Sequence, residues 1–198
     1  MLPAETEHIT SYLKSLPEGN KILDWEMTQI TNCFFNRSYI NNEAFNKEGE
    51  ICSIIGLVYT GIFKVMICDD EKKKIKALHC NSFNCIVVDW LSFNDRIAST
   101  KTIFSKGESQ LLCISETDFR HLRDTIPSFN TVCMAMIIHS LNSHTILLEG
   151  LENLPITDKI NKVKKECPGM LNKINKEETI FVLGVGKNTF NKIDLNTP

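Results

Sequence analysis

Eight cysteines and five histidines are the residues of this 198-residue chain whose types could support metal, redox or nucleophilic chemistry. The cysteines, at positions 33, 52, 68, 80, 85, 113, 133 and 167, are scattered through apolar segments with no Cys-x-x-Cys pair to build a zinc site. They read as reduced, buried thiols behaving as small hydrophobes, with His79-Cys80 and Cys85 the one grouping that retains redox or metal potential. His79 stands alone among predicted strands, while His8, His121, His139 and His144 fall in predicted helices. A metal site of histidines with a carboxylate is therefore not expected. Neither a nucleophile beside a base nor a phosphate loop of the P-loop kind is visible, so the chain does not read as an enzyme. Binding chemistry remains. Residues 151–198 carry eight lysines against six acids in a chain whose net charge is −2, a bias that suits a nucleic-acid partner.

The elements that must position these residues follow from pattern. Residues 43–88 read as short strands cut by turn signals: Lys47-Glu48-Gly49-Glu50, a run to Tyr59, Thr60-Gly61, a run to Cys68, an acidic-basic tip over 69–74, and a run to Leu78. Closely spaced short strands argue for an antiparallel β-roll rather than a parallel sheet. Ahead of it, Ile9, Tyr12, Leu13 and Leu16 at helical spacing predict a first helix stopped by Pro17 and Gly19, and Asp24 caps a second over about 25–33. After it, Leu111-Leu112-Cys113-Ile114 is a closing strand, and Ser115-Glu116-Thr117-Asp118 caps a helix that turns Phe119 and Leu122 inward.

Past Pro127 a long helix is apolar most of the way round. Phe129, Cys133, Met136, Ile137 and Leu141 form one face, and Val132, Ala135, Ile138 and Ile146 another. Such a helix must be covered on two sides, by the β-roll and by a symmetry partner, unless it is the central core helix of a monomer. Thr157 or Asp158 then caps a helix with Ile160, Val163 and Cys167 on one side, ending at Pro168-Gly169. Apolar runs such as 132–138 are far short of the ~20 residues a membrane helix needs, and Glu5-Thr6-Glu7 is acidic where a signal region would be basic. A cytoplasmic protein with no membrane partner is expected.

Gly49-Glu50, Gly61, Asp69-Asp70-Glu71-Lys72 and Phe83, in that order, resemble the cyclic-nucleotide-binding β-roll of Crp/Fnr-type transcription regulators. The resemblance extends over about 5–193: Cys33-Phe34-Phe35 resembles the lead into that roll, LLCISETDFRHL the strand-to-helix exit, and Leu183-Gly184-Val185 with 187–193 the helix-turn-helix. It implies an α+β chain with a sensor domain over 1–125, an N-terminal antiparallel β-roll (a double-stranded β-helix or jelly roll) with flanking helices. A dimerisation helix over 126–153 follows, its seam at Val132, Met136, His139, Ser143 and Ile146, and then a truncated winged-helix-like DNA-binding domain over 154–198. In that last domain Gly184 permits the tight turn and Val185 and Phe190 pin the two helices together. Lys187, Asn188, Thr189, Asn191 and Lys192 would meet DNA, the asparagines reading adenine and the lysines phosphates. Family members usually carry arginine there, whereas residues 151–198 contain none, and the sequence stops at Pro198, short of a complete wing.

For the ligand, the resemblance implicates Phe83, Cys85, Ile86, Arg96 and Ala98. The family's phosphate cassette places Gly-Glu where this chain has Cys85-Ile86. A cysteine side chain obstructs the close approach of backbone amides to a phosphate, and an isoleucine cannot accept a ribose hydroxyl. Cyclic nucleotide is accordingly not expected, nor is any cofactor; the cysteine cluster of an iron–sulfur member is missing. The expectation is a homodimeric, DNA-binding transcription regulator responding to an unknown small-molecule effector between the β-roll and the long helix. The alternative is a β-roll ligand-binding or protein-interaction module whose helix-turn-helix is degenerate and no longer binds DNA.

Overall fold

The computed structural model describes residues 1–69, 72–80 and 85–191, without the side chains of residues 68, 69, 72, 73, 143–148 and 150. Two helices open the chain, α1 (Pro3–Ser15) and α2 (Asp24–Asn32). Pro3 starts α1 where its missing N–H costs nothing, and the Glu5 carboxylate turns back to accept the Leu2 N–H at 2.8 Å. Glu26 does the same for Leu23 at 2.8 Å, so Asp24 is the first helical residue and not the cap expected from sequence. Ile9, Leu13, Met27 and Ile30 bury one face of this pair against the sheet.

The described strands form one antiparallel sheet: β1 (Phe34–Tyr39), β2 (Ala44–Asn46), β3 (Ile54–Asp69), β4 (Lys72–Cys80), β5 (Ile86–Val87) and β6 (Lys101–Ser115). Their order is β1-β6-β3-β4, with β2 also on β6 and β5 also on β3. The α+β class with an antiparallel sheet agrees with the sequence reading. One feature within the sheet does not. Thr60-Gly61 reads as a turn, yet β3 runs unbroken through it for 16 residues, its register against β6 shifting on either side of Thr60. Gly61 adopts φ +89°, so the extra residue is absorbed as a bulge that bends the strand without reversing it. The same bending lets β3 and β6 wrap into a roll.

Helix α3 (Trp90–Asp95) interrupts the path from β5 to β6, and α4 (Glu116–Thr125) leaves β6 through the cap foreseen in the sequence. Ser115 Oγ accepts the Asp118 N–H at 3.0 Å, and Phe119 and Leu122 are buried. Pro127 then opens α5 (Pro127–Leu151). Phe93, Phe119 and Phe129 stack edge to face, with centroids 5.6 and 5.8 Å apart, joining α3, α4 and α5. Phe129, Val132, Cys133 and Met136 face the roll, which leaves Met134, Ile138 and Leu141 as an exposed apolar stripe. Among the described residues no helix is long and apolar enough to cross a membrane.

Four short helices complete the described chain: α6 (Ile156–Glu166), α7 (Met170–Lys173), α8 (Lys176–Leu183) and α9 (Lys187–Phe190). Ile160, Val163, Cys167, Met170, Val182, Leu183 and Phe190 form a second apolar core, closed by Leu151 of α5 and by Ile62, Leu78 and Cys80 of strands β3 and β4. The C-terminal helices therefore rest directly on the β-roll.

Candidate functional site

Between the β3–β4 face, the β5–α3 segment and α5 lies a cavity of about 710 Å³. Val65, Ala77, Ile86, Val88, Trp90 and Leu91 supply its apolar wall, while Lys76, His79, Asn94, Asp95, Lys101 and Ser140 supply the polar groups. Its size and its mixed apolar and polar lining are those of a small-molecule pocket. The neighbouring interior, under Tyr12, Phe34, Phe119 and Met136, holds only about 10 Å³, too little for a ligand.

The cavity is wired to its surroundings by polar contacts that join separate elements. Trp90 Nε1 donates to Ser140 Oγ at 2.6 Å, spanning from α3 to α5. Asp89 is buried and accepts from Ser99 Oγ at 2.7 Å and Lys101 Nζ at 3.0 Å. That compensates a carboxylate that would otherwise be costly to bury, and it ties the start of β6 to the residue before α3.

The expected ligand residues are dispersed. Ile86 lines the cavity. Cys85 is buried beside Tyr12, and burial pushes its thiol up to about 11. Arg96 ends α3 at φ +58°, and its Nη1 donates to Glu116 Oε2 at 3.3 Å; neither Arg96 nor Ala98 is among the cavity-lining residues, and both are exposed. The partner of Arg96 is thus Glu116, the first residue of α4. Phe83 lies outside the described residues.

On α5, Val132 and Met136 were expected at a dimer seam, but the structure packs both into the β-roll core. Rotation of the helix about its axis is set by Phe129 stacking on Phe119, which apolar periodicity does not reveal. His139 is exposed beside the stripe of Met134, Ile138 and Leu141; the side chains of Ser143 and Ile146 lie outside the described ones.

At the C-terminal end, Gly184 takes φ +60°, and Val185 N–H returns to the Ile180 carbonyl at 3.2 Å, closing α8 with the left-handed glycine turn read from Leu183-Gly184-Val185. Val185 and Phe190 pack into the second core. Lys187, Asn188 and Thr189 project from α9 and are exposed. Asn191 is exposed as well and accepts from Lys176 Nζ at 2.6 Å, while Lys192 lies outside the described residues.

Glu178, fully buried, is the principal polar contact between this unit and the roll. Its carboxylate accepts the Asn175 N–H at 2.8 Å, Lys64 Nζ at 2.8 Å and Lys106 Nζ at 2.5 Å. Burial alone would raise its pKa, but the hydrogen bonds from Lys106 and Lys64 outweigh that and hold it below the ordinary value. Asn175-x-x-Glu178 is legible in sequence as a capping box; the two strand lysines are not.

The roll, its flanking helices and the cavity against α5 define the fold of cyclic-nucleotide-binding domains. Solved structures agree. A proposed cAMP-binding regulatory protein from Silicibacter pomeroyi DSS-3 superposes with a TM-score of 0.68 at 12% identity, over 94% of this chain and 85% of that one. Thermus thermophilus catabolite activator protein gives 0.53 at 16% identity, over 89% and 84% of the two chains. The sensor domain of the transcriptional regulator DNR from Pseudomonas aeruginosa gives 0.55 at 13%, over 75% and 95%. At such identities the likeness is one of fold. No protein-family model and no curated protein sequence matches the chain.

Proposed function

We propose that the chain is a homodimeric, DNA-binding transcription regulator of the Crp/Fnr type whose β-roll responds to an effector other than cyclic AMP. The carrying observation is α9, a helix set by the tight Gly184 turn, with Lys187, Asn188 and Thr189 exposed beyond a buried Phe190. Its place at the end of a fold shared with catabolite activator protein supports the reading. The effector would occupy the 710 Å³ cavity, where the Trp90–Ser140 hydrogen bond offers a route from ligand to α5. Arg96 engaged with Glu116, and Cys85-Ile86 in place of a glycine and a carboxylate, argue against a cyclic phosphate there.

Fluorescence anisotropy on pooled promoter-length duplexes at two salt concentrations tests the DNA reading. Native protein should bind with a steep salt dependence, and the Lys187→Ala/Lys192→Ala variant should bind on the order of tenfold more weakly with a shallower slope. No binding by folded protein at low salt would favour the second reading, an interaction module. That reading has its own support in the Glu178 contact that holds α8 on the roll and in the lack of arginine after residue 150.

The exposed stripe on α5 supports the homodimer. Ile138→Glu, at a position 54% exposed, should turn a sedimenting dimer into a monomer with its helical content unchanged. An Ile138→Glu protein that remains dimeric would remove the stripe from the seam.

A further inference from the structure

We propose that Cys80 and Cys167 are a modification site, a thiol pair that oxidises to an intramolecular disulfide and locks the C-terminal helices onto the β-roll. Their sulfurs lie 3.2 Å apart, although the residues are 87 positions apart in sequence. A disulfide requires about 2.05 Å between sulfurs, so closure needs a shift of only ~1 Å. Both residues stand where an element ends. Cys80 is the last residue of β4, and Cys167 follows α6 directly ahead of Pro168 and Gly169, the latter at φ +76°.

The pair bridges the two parts of the molecule that the second core joins. Cys80 packs beside Ile62 and Leu78 of the roll, and Cys167 beside Ile160, Val163 and Met170 of the helical unit. The contact therefore exists only while the helices are docked, and the covalent bond would make docking permanent until reduced. Burial of both side chains, at 5% and 2% exposure, restricts attack to small oxidants or to moments of partial undocking.

With a peroxide as oxidant the chemistry balances. One thiolate attacks the O–O bond, forming a sulfenic acid and releasing water once a proton is supplied. The second thiol displaces the sulfenic oxygen as another water, forming the S–S bond, so two thiols and one hydrogen peroxide give one disulfide and two waters. In a reducing compartment the two residues remain thiols.

The test uses the full chain, incubated with hydrogen peroxide or with oxidised and reduced glutathione mixtures, then alkylated under denaturing conditions and mapped by mass spectrometry. The expected result is loss of two alkylatable thiols and recovery of a Cys80–Cys167 linked peptide, with tryptic cleavage within α6 slowed about tenfold or more and Tm raised by roughly 5–10 °C. Cys167→Ser should show neither protection nor the Tm rise on oxidation; should that variant fail to fold, the peptide map and the cleavage rate of the native chain decide together. Retention of both thiols while other cysteines oxidise, a Cys80–Cys85 bond instead, or a linked peptide without slower cleavage would each overturn the proposal.

Discussion

Glu178→Gln will detach the C-terminal helices from the β-roll while leaving α8 capped. Glutamine at that position can still close the capping box with Asn175, so the substitution isolates the charge. What is lost is a fully buried carboxylate shared by Lys64 and Lys106, whose side chains are 15% and 22% exposed. Breaking a buried pair by removing one partner costs about 3–5 kcal/mol; because these lysines can reach water, about 3 kcal/mol is expected for docking of this unit. Hydrogen exchange of the α6 and α8 amides and the urea midpoint of the C-terminal transition measure it. A loss below about 0.5 kcal/mol would show that the second apolar core suffices for docking.

The same contact sets an acid response. Glu178 has its folded pKa below the ordinary 4.5, so its contribution to stability is complete above that value and is lost as pH falls through the depressed folded value. Native protein should therefore undock its C-terminal helices on acidification below the ordinary carboxylate range. In Glu178→Gln that acid step should be absent, with the helices already loosened at neutral pH.

Gly61→Ala should be the most damaging single-methyl addition in the β-roll. The residue sits at φ +89°, and a Cβ built there would come within 2.7 Å of Ser109 Cα, a backbone atom that cannot swing aside. Left-handed strain alone costs about 1–2 kcal/mol, and the steric conflict with β6 should bring the total above roughly 3 kcal/mol. Gly49 provides the control, since at φ +87° it has nothing within 4 Å of the built Cβ. Gly49→Ala should lose only the conformational part, about 1 kcal/mol. Equal urea midpoints for the two variants would mean that β3 does not need its bulge. Ser109→Gly should not restore Gly61→Ala, because the obstructing Cα remains.

These two substitutions separate what a local pattern encodes from what it does not. Ser115 with Asp118, Pro127 at the start of α5, and Gly184 after Leu183 act within one turn of chain through hydrogen bonds and allowed backbone angles. Each was readable directly, as were the antiparallel roll and the helical tail. Thr60-Gly61 was readable as a turn signal, but not as a bulge. Turn and bulge use the same residue, and only the presence of β6 alongside both halves of β3 distinguishes them.

The face of α5 turned toward the roll, the cavity beside Trp90, the lysines that meet Glu178 and the meeting of Cys80 with Cys167 belong to tertiary structure alone. Lys64 and Glu178 are 114 residues apart, and the two sulfurs 87. Periodicity determines that a helix has an apolar face and composition that its end is basic; which surface arrives opposite is decided by packing, because shape complementarity acts only once the chain has folded back on itself.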